Sequence, residues 1–121
     1  MRLRSILWAR SGLVWLLVTM VAGLHIGISG EFGASSHHAH AGLLGGLWSI
    51  AFAWLFDRRE LPLSAGAKVQ WALYNFGVVT MAVSMFIVAR HGGIAGLGVG
   101  VGGLIVLCST AWIAVNAWPR A

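Results

Sequence analysis

The stretch SGLVWLLVTMVAGLHIGISG, residues 11–30, contains no Asp, Glu, Lys or Arg in twenty positions. About 20 apolar residues allow a helix to cross a hydrocarbon layer roughly 30 Å thick, because each residue adds about 1.5 Å. Three further runs of this kind begin near His38, Val69 and Gly92. The sequence therefore predicts an all-α integral membrane protein with one domain, residues 1–121, whose bundle has transmembrane helices at residues 7–29, 37–56, 68–89 and 93–117.

Composition and charge support the same class. The chain is 59% hydrophobic and 9% charged, and its three acidic residues are too few to solvate a soluble domain of 121 residues. The net charge of +5 does not indicate a nucleic-acid partner, because seven of the eight basic residues flank one side of the predicted membrane. By the positive-inside rule, both termini are expected to be cytoplasmic, in a multi-pass protein of the cell inner membrane.

Aromatic residues mark the same side of the predicted bilayer. One tryptophan stands near the cytoplasmic end of each predicted helix, where indole rings favour the membrane interface. These residues are Trp8, Trp54, Trp71 and Trp118. We expect all four to lie at the headgroup level, with Gln70 solvated beside them.

Glycine is concentrated in the second and fourth predicted helices. The run HGGIAGLGVGVGG, residues 91–103, carries seven glycines, and Gly42, Gly45 and Gly46 form a similar series in the second helix. Small residues four positions apart allow two helices to approach closely in lipid. Tight helix packing is one interpretation of these series, and space for a flat, bulky prosthetic group is the other.

All five histidines fall in the predicted non-cytoplasmic half of the chain: His25, His37, His38, His40 and His91. His25 and His40 are each expected about 6 Å below the membrane surface, on adjacent antiparallel helices and at a similar depth. His38 and His40 differ by about 200° around a helix, so at most one of them faces any given site. An ionisable group inside a spanning helix is costly and usually has a function.

The residues alone allow three interpretations of these imidazoles. The first is solvation in the interface, which suits His37 and His91. The second is a zinc or copper site formed by the HHAH run with His25 and Glu31. The third is axial ligation of heme, in which His40 supplies the nitrogen, the glycine-rich faces supply an apolar slot, and Arg90 or His91 receives the propionates.

Two motifs favour the third interpretation through a resemblance. The run HAHAGLLGG at 38–46, after the loop GISGEFG, and the run WALYNFG at 71–77 resemble small four-helix membrane proteins related to subunit I of heme–copper oxidases. Within that group, the styrene oxide isomerases are the nearest chemical precedent. The matching elements are the Ala39–His40 pair followed by Gly42, and the N-x-G motif at Asn75–Gly77. The resemblance covers about residues 20–80.

The resemblance implies heme b ligated by His40 and a homotrimer in which the heme lies between neighbouring protomers. In the isomerases, ferric heme acts as a Lewis acid toward an epoxide oxygen. Their polar partners are an asparagine at the position of Gly46 and a tyrosine at the position of Val79, and this chain keeps neither. The resemblance therefore carries over heme binding but not the epoxide chemistry.

The prediction is a heme b-binding membrane protein acting in redox, gas-ligand or Lewis-acid chemistry, with a small apolar substrate or a redox partner. His40 is predicted as the axial ligand of the heme iron, His25 as its second ligand or a distal group, and His38 as the alternative ligand. The other predicted cofactor-binding residues are Gly42, Asn75 and Arg90, and Asn75 is also expected to hydrogen-bond between helices. An isomerase-like enzyme, and a protein that binds zinc or copper or is purely structural, remain the alternatives.

Overall fold

The computed structural model describes residues 2–118 and all of their side chains except those at positions 34–37, 89 and 90. Four of its helices are long and apolar enough to cross a membrane: Leu3–Ser29, His38–Arg58, Ala65–Val88 and Ala95–Ala117. The predicted all-α class and the four membrane-spanning segments are therefore confirmed at the level of length and composition.

In chain order the elements are α1 (Leu3–Ser29), a 3-10 turn (Phe32–Ala34), α2 (Ser35–His40), a π-helical segment (Ala41–Leu47), α3 (Trp48–Arg58), α4 (Ala65–His91) and α5 (Ala95–Ala117). The second span thus consists of α2, the π segment and α3. The helix α4 begins three residues before the predicted position 68, because the Ser64 side chain accepts a hydrogen bond from the backbone N–H of Ala67 at 3.1 Å. The helix α5 begins only at Ala95, because Gly92 and Gly93 have φ angles of 67° and 77°, which end α4 in left-handed backbone.

The helices pack in chain order. The second span packs against α1, and its α2 and π segment pack against α4. The 3-10 turn and α5 also pack against α4. The close α4–α5 contact depends on Gly102, since a Cβ there would lie 2.5 Å from the backbone nitrogen of Met81. The packing interpretation therefore holds for this glycine. Gly96 and Gly100 have no described atom within 4 Å of where a Cβ would stand.

Four spans place both ends of the chain at one end of the bundle, which we call the terminal end, and the opposite end is the histidine end. The core lies at the terminal end, where Trp8 is fully buried and its ring centroid lies 5.4 Å from that of Phe52, 5.6 Å from that of Phe56 and 5.2 Å from that of Tyr74. Edge and tilted contacts at this spacing are favourable for aromatic pairs. The prediction that Trp8 faces the membrane interface was wrong, because α1 turns this ring inward against α3 and α4.

Arg4 and Gln70 also lie in this core rather than in solvent. Arg4 is 5% exposed and Gln70 is fully buried. The Arg4 Nη2 donates to Gln70 Oε1 at 2.6 Å, and the guanidinium lies 4.1 Å from the centroid of the Phe56 ring. The expectation that Gln70 is solvated was wrong, because its side chain faces the interior of the bundle and accepts a hydrogen bond from Arg4 of α1. Arg120, which was predicted to flank the same side, lies outside the described residues.

Candidate functional site

The π-helical segment Ala41–Leu47 interrupts the second span directly after His40. Single π turns inside α-helices occur frequently at functional sites. Tyr74 on α4 stabilises this one, because its hydroxyl donates to the carbonyl oxygen of Leu44 at 2.6 Å. Gly45 allows the segment to reach α1, since a Cβ at this position would lie 2.5 Å from the Trp15 ring.

Side chains of α1 and of the second span fit over glycines of each other at the histidine end. A Cβ on Gly23 of α1 would lie 2.7 Å from His38 Cε1, and a Cβ on Gly42 would lie 2.8 Å from Thr19 Cγ2. His38 and Gly42 are four residues apart, as are Thr19 and Gly23, so each pair forms one face of its helix. This reciprocal contact fixes the rotation of both helices and turns His38 toward α1.

Two polar atoms at this contact are buried. They are His38 Nδ1 and Thr19 Oγ1, and neither has a hydrogen-bond partner among the described residues. A buried polar atom without a partner costs roughly 1–3 kcal/mol. A small-molecule partner at this position would recover part of that cost.

Both residues line a cleft of about 250 Å³ between α1, the second span and α4. The side chains of the remaining lining residues are apolar, apart from the indole nitrogen of Trp15. These residues are Trp15, Val18, Ala22, Ala41, Val79, Ala82, Val83 and Phe86. Val18 and Val83 are about half exposed, so the cleft opens on the side of the bundle between α1 and α4. In a bilayer that opening faces lipid.

The volume of the cleft decides whether heme fits inside one copy of the chain. Its volume of about 250 Å³ lies below the roughly 300–1,000 Å³ of pockets that enclose a drug-sized ligand. A porphyrin macrocycle therefore does not fit inside it, whereas a small apolar molecule does. Gly42 does not widen the cleft into a slot for a macrocycle, because Thr19 packs over it.

A hydrogen-bond network closes the cleft toward the terminal end. Trp15 Nε1 donates to Asn75 Oδ1 at 2.9 Å, and Asn75 Nδ2 donates to the Trp71 carbonyl oxygen at 2.9 Å. Nearby, Trp71 Nε1 donates to Ser11 Oγ at 3.2 Å. The expectation that Asn75 hydrogen-bonds between helices is confirmed, and both ends of its amide are used within the bundle.

The structure separates the two histidines predicted to share a site. The contacts of Gly23 with His38 and of Thr19 with Gly42 place His25 near the level of residue 36. It therefore lies about four residues, or ~6 Å, farther toward the histidine end than His40, not at the same depth. Each imidazole is exposed and lies about 200° around its helix from the α1–α2 contact. Within one copy, the two side chains therefore do not face each other.

His40 lies on the outer surface of the second span, inside the segment His38–Arg58 that could cross a membrane. The next exposed large side chains after it along this span are apolar: Leu43, Leu47 and Trp48. This surface could hold a macrocycle against the outside of the bundle, with a second surface covering its other side. His91 is exposed at the end of α4, and the side chains of Arg90 and His37 lie outside the described ones.

Within the described range, no group of three or more His, Cys, Asp or Glu side chains converges as a metal site would require. The predicted set of the HHAH run with His25 and Glu31 is thus not assembled among the described side chains, and the side chain of His37 lies outside them. Sequence reasoning missed Thr19 and Trp15, and it identified Tyr74 only as a polar group in need of a hydrogen-bond partner. The spacing of Thr19–Gly23 against His38–Gly42 could have indicated the first of these, because the two pairs run antiparallel at matching four-residue steps.

Comparisons with protein-family models, with curated proteins and with solved structures found no match for this chain.

Proposed function

We propose that the chain is an integral membrane protein that binds heme b through His40 on its outer surface. The observation that carries this proposal is the position of His40, an exposed imidazole within a membrane-capable span. An ionisable side chain at that depth is costly unless it has a function. Iron coordination through a neutral ring nitrogen is one such function.

The surroundings of His40 suit a macrocycle bound at the surface rather than one enclosed in the bundle. Leu43, Leu47 and Trp48 are exposed beside it and offer an apolar surface. The inner cleft is too small for a porphyrin, which argues against His38 as the alternative ligand. A second copy would cover the outer side of the group, in line with the trimer that the resemblance implies.

A bound heme would supply an iron for electron transfer, gas binding or Lewis-acid chemistry. Within this chain, His40 would hold the iron, and Leu43 and Leu47 would exclude water from the group. His25 of the same copy faces elsewhere, so a single copy offers one histidine nitrogen to the iron. We therefore expect any further protein ligand to the iron to come from another copy.

Epoxide isomerisation is not part of this proposal. Gly46 and Val79 stand where the resembling isomerases have polar side chains. Gly46 packs against Leu16 of α1, and Val79 adds an apolar surface to the cleft. Neither position can hydrogen-bond a substrate through its side chain.

The first test is the absorption spectrum and heme content of the protein purified in detergent from cells supplied with heme. We expect a Soret band in the wild type and, for His40→Ala, hemin binding weaker by at least about tenfold, which corresponds to 1.4 kcal/mol. His25→Ala and His91→Ala serve as matched controls, since both histidines are exposed, and they should retain heme. Carbon monoxide binding by the reduced protein distinguishes a single histidine ligand, which leaves room for the gas, from two ligands supplied by different copies.

Three results would overturn the assignment in different ways. Wild-type protein without a Soret band after hemin addition would reject heme binding altogether. Full heme content in His40→Ala together with loss in His38→Ala would move the ligand to the cleft. A wild type that contains heme but runs as a monomer would remove the shared site between copies.

A further inference from the structure

We propose that the cleft between α1, the second span and α4 binds a small, neutral, lipid-soluble alcohol or phenol. This site is separate from the heme proposed at His40 and does not depend on it. The cleft has a volume of about 250 Å³ and a lining that is apolar apart from His38, Thr19 and the Trp15 nitrogen. That lining excludes a charged ligand, because transfer of an unpaired ion into such a site is very costly.

The two buried atoms without a partner, His38 Nδ1 and Thr19 Oγ1, determine which polar group a ligand must carry. Thr19 Oγ1 carries one donor and two acceptor sites, and His38 Nδ1 is either a donor or an acceptor according to its tautomer. A single hydroxyl group carries one donor and two acceptor sites. One ligand hydroxyl can therefore accept from Thr19 while it donates to His38, or the reverse.

Other small ligands satisfy the site less completely. A hydrocarbon would leave both Nδ1 and Oγ1 without a partner. A ketone or ether accepts but cannot donate, so it could satisfy these groups only where both of them donate. Because both residues line the cleft, we expect a side-chain rotation to bring each buried atom to a bound hydroxyl.

The route to the cleft also favours a lipid-soluble molecule. Val18 on α1 and Val83 on α4 line the cleft and are exposed on the side of the bundle. The Trp15–Asn75 hydrogen bond at 2.9 Å closes the end toward the aromatic core. A ligand therefore enters laterally between α1 and α4, from the bilayer.

The test is fluorine NMR of 4-fluorophenol with the full chain in lipid nanodiscs, measured against empty nanodiscs and with fluorobenzene as the ligand without a hydroxyl. We expect saturable binding of 4-fluorophenol beyond lipid partitioning, and affinity for fluorobenzene lower by about tenfold, since it leaves two buried groups unpaired. The variants Thr19→Val and His38→Leu should each weaken 4-fluorophenol binding by about fivefold or more.

The chain offers controls for each of these changes. Thr80→Val removes a hydroxyl from α4 outside the cleft and should leave 4-fluorophenol binding unchanged. His38→Asn keeps a hydrogen-bonding group near the Nδ1 position and should restore part of the affinity lost in His38→Leu. Val83→Trp places a large ring at the opening and should slow or abolish binding, while the exposed position leaves the core packing intact.

Equal binding of 4-fluorophenol and fluorobenzene, with no effect of Thr19→Val, would overturn the proposal and mark the cleft as unspecific apolar space. Absence of saturable 4-fluorophenol binding to the folded wild type would equally overturn it. Because heme content is read separately from the Soret band, failure of the heme proposal and failure of this one are distinguishable.

Discussion

The two ends of α1 show opposite ways of packing against α4. At the terminal end, side chains join the helices directly, through Arg4 to Gln70, Trp71 to Ser11 and Trp15 to Asn75. Beyond Trp15, residues of both helices line the cleft. The packing of α1 therefore changes at the hydrogen bond between Trp15 and Asn75.

This contrast assigns different roles to the two ends. Aromatic rings fill the terminal end around Trp8, and this packing is expected to carry most of the stability of the bundle. The histidine end contains a cleft, and two of its lining residues, His38 and Thr19, carry buried polar atoms without a partner in the described part of the chain. Binding sites that are apolar with a few polar groups have this composition, so we expect the histidine end to tolerate substitution better in stability and worse in ligand binding.

The strongest way to break the comparison is to remove the ring at the centre of the terminal end. Truncation of a buried tryptophan to alanine typically costs about 3–5 kcal/mol. Trp8 Nε1 has no hydrogen-bond partner in the described part of the chain, so its removal also relieves a penalty. We therefore expect Trp8→Ala to lower the free energy of unfolding by about 3 kcal/mol, measured by titration with SDS and followed by circular dichroism.

Trp54→Ala is the matched control for this change. The Trp54 ring is largely exposed, with Arg58 5.4 Å from its centroid, and an exposed contact of this kind contributes about 0.5–1 kcal/mol. Similar losses of stability in Trp8→Ala and Trp54→Ala would contradict the assignment of stability to the terminal core.

The sequence predicts the spans well because four uninterrupted apolar runs leave little alternative in a membrane. It predicts the neighbours of individual side chains poorly. Trp8 and Gln70 stand where interface residues are common, yet helix rotation buries both. That rotation is set by contacts between helices, such as Gly23 with His38, which no local pattern specifies.

The candidate site shows the same limit. Spacing alone predicted that His38 and His40 point in opposite directions, and the structure confirms this, since His38 lines the cleft while His40 is exposed. Which of the two faces inward depends on the glycines opposite. The π turn at Ala41–Leu47 was not predicted, because it depends on Tyr74, thirty residues away from Leu44 in the sequence.

Three glycines on α1 extend the comparison of the two ends of the bundle to smaller losses of stability. A Cβ on Gly12 would lie 3.0 Å from the Gly46 carbonyl oxygen, which is backbone, and one on Gly23 would meet the His38 side chain at 2.7 Å. At Gly27 no described atom lies within 4 Å. Because backbone yields less than a side chain, we expect destabilisation by about 2 kcal/mol for Gly12→Ala, about 1 for Gly23→Ala and roughly zero for Gly27→Ala.

These three variants also separate stability from binding. Gly23→Ala should displace the His38 imidazole and weaken 4-fluorophenol binding, although it costs less stability than Gly12→Ala. Stability is read from SDS unfolding and binding from fluorine NMR on the same samples. Unchanged phenol binding in Gly23→Ala would show that the contact between Gly23 and His38 does not position the imidazole.

The smallest expected effect concerns charge at the terminal end. Arg2 Nη2 lies 3.2 Å from Glu60 Oε2, and the two side chains are 47% and 75% exposed. Exposed ion pairs contribute roughly 0–1 kcal/mol and weaken further with salt.

Glu60→Gln keeps a side chain of the same length at a residue whose φ is 53°, so it isolates the charge from the strain of left-handed backbone. We expect it to change the free energy of unfolding by less than about 0.5 kcal/mol, with any difference disappearing in 0.5 M sodium chloride. A larger loss that persists in salt would mean that the loop charges, and not only the aromatic rings around Trp8, hold this end of the bundle together.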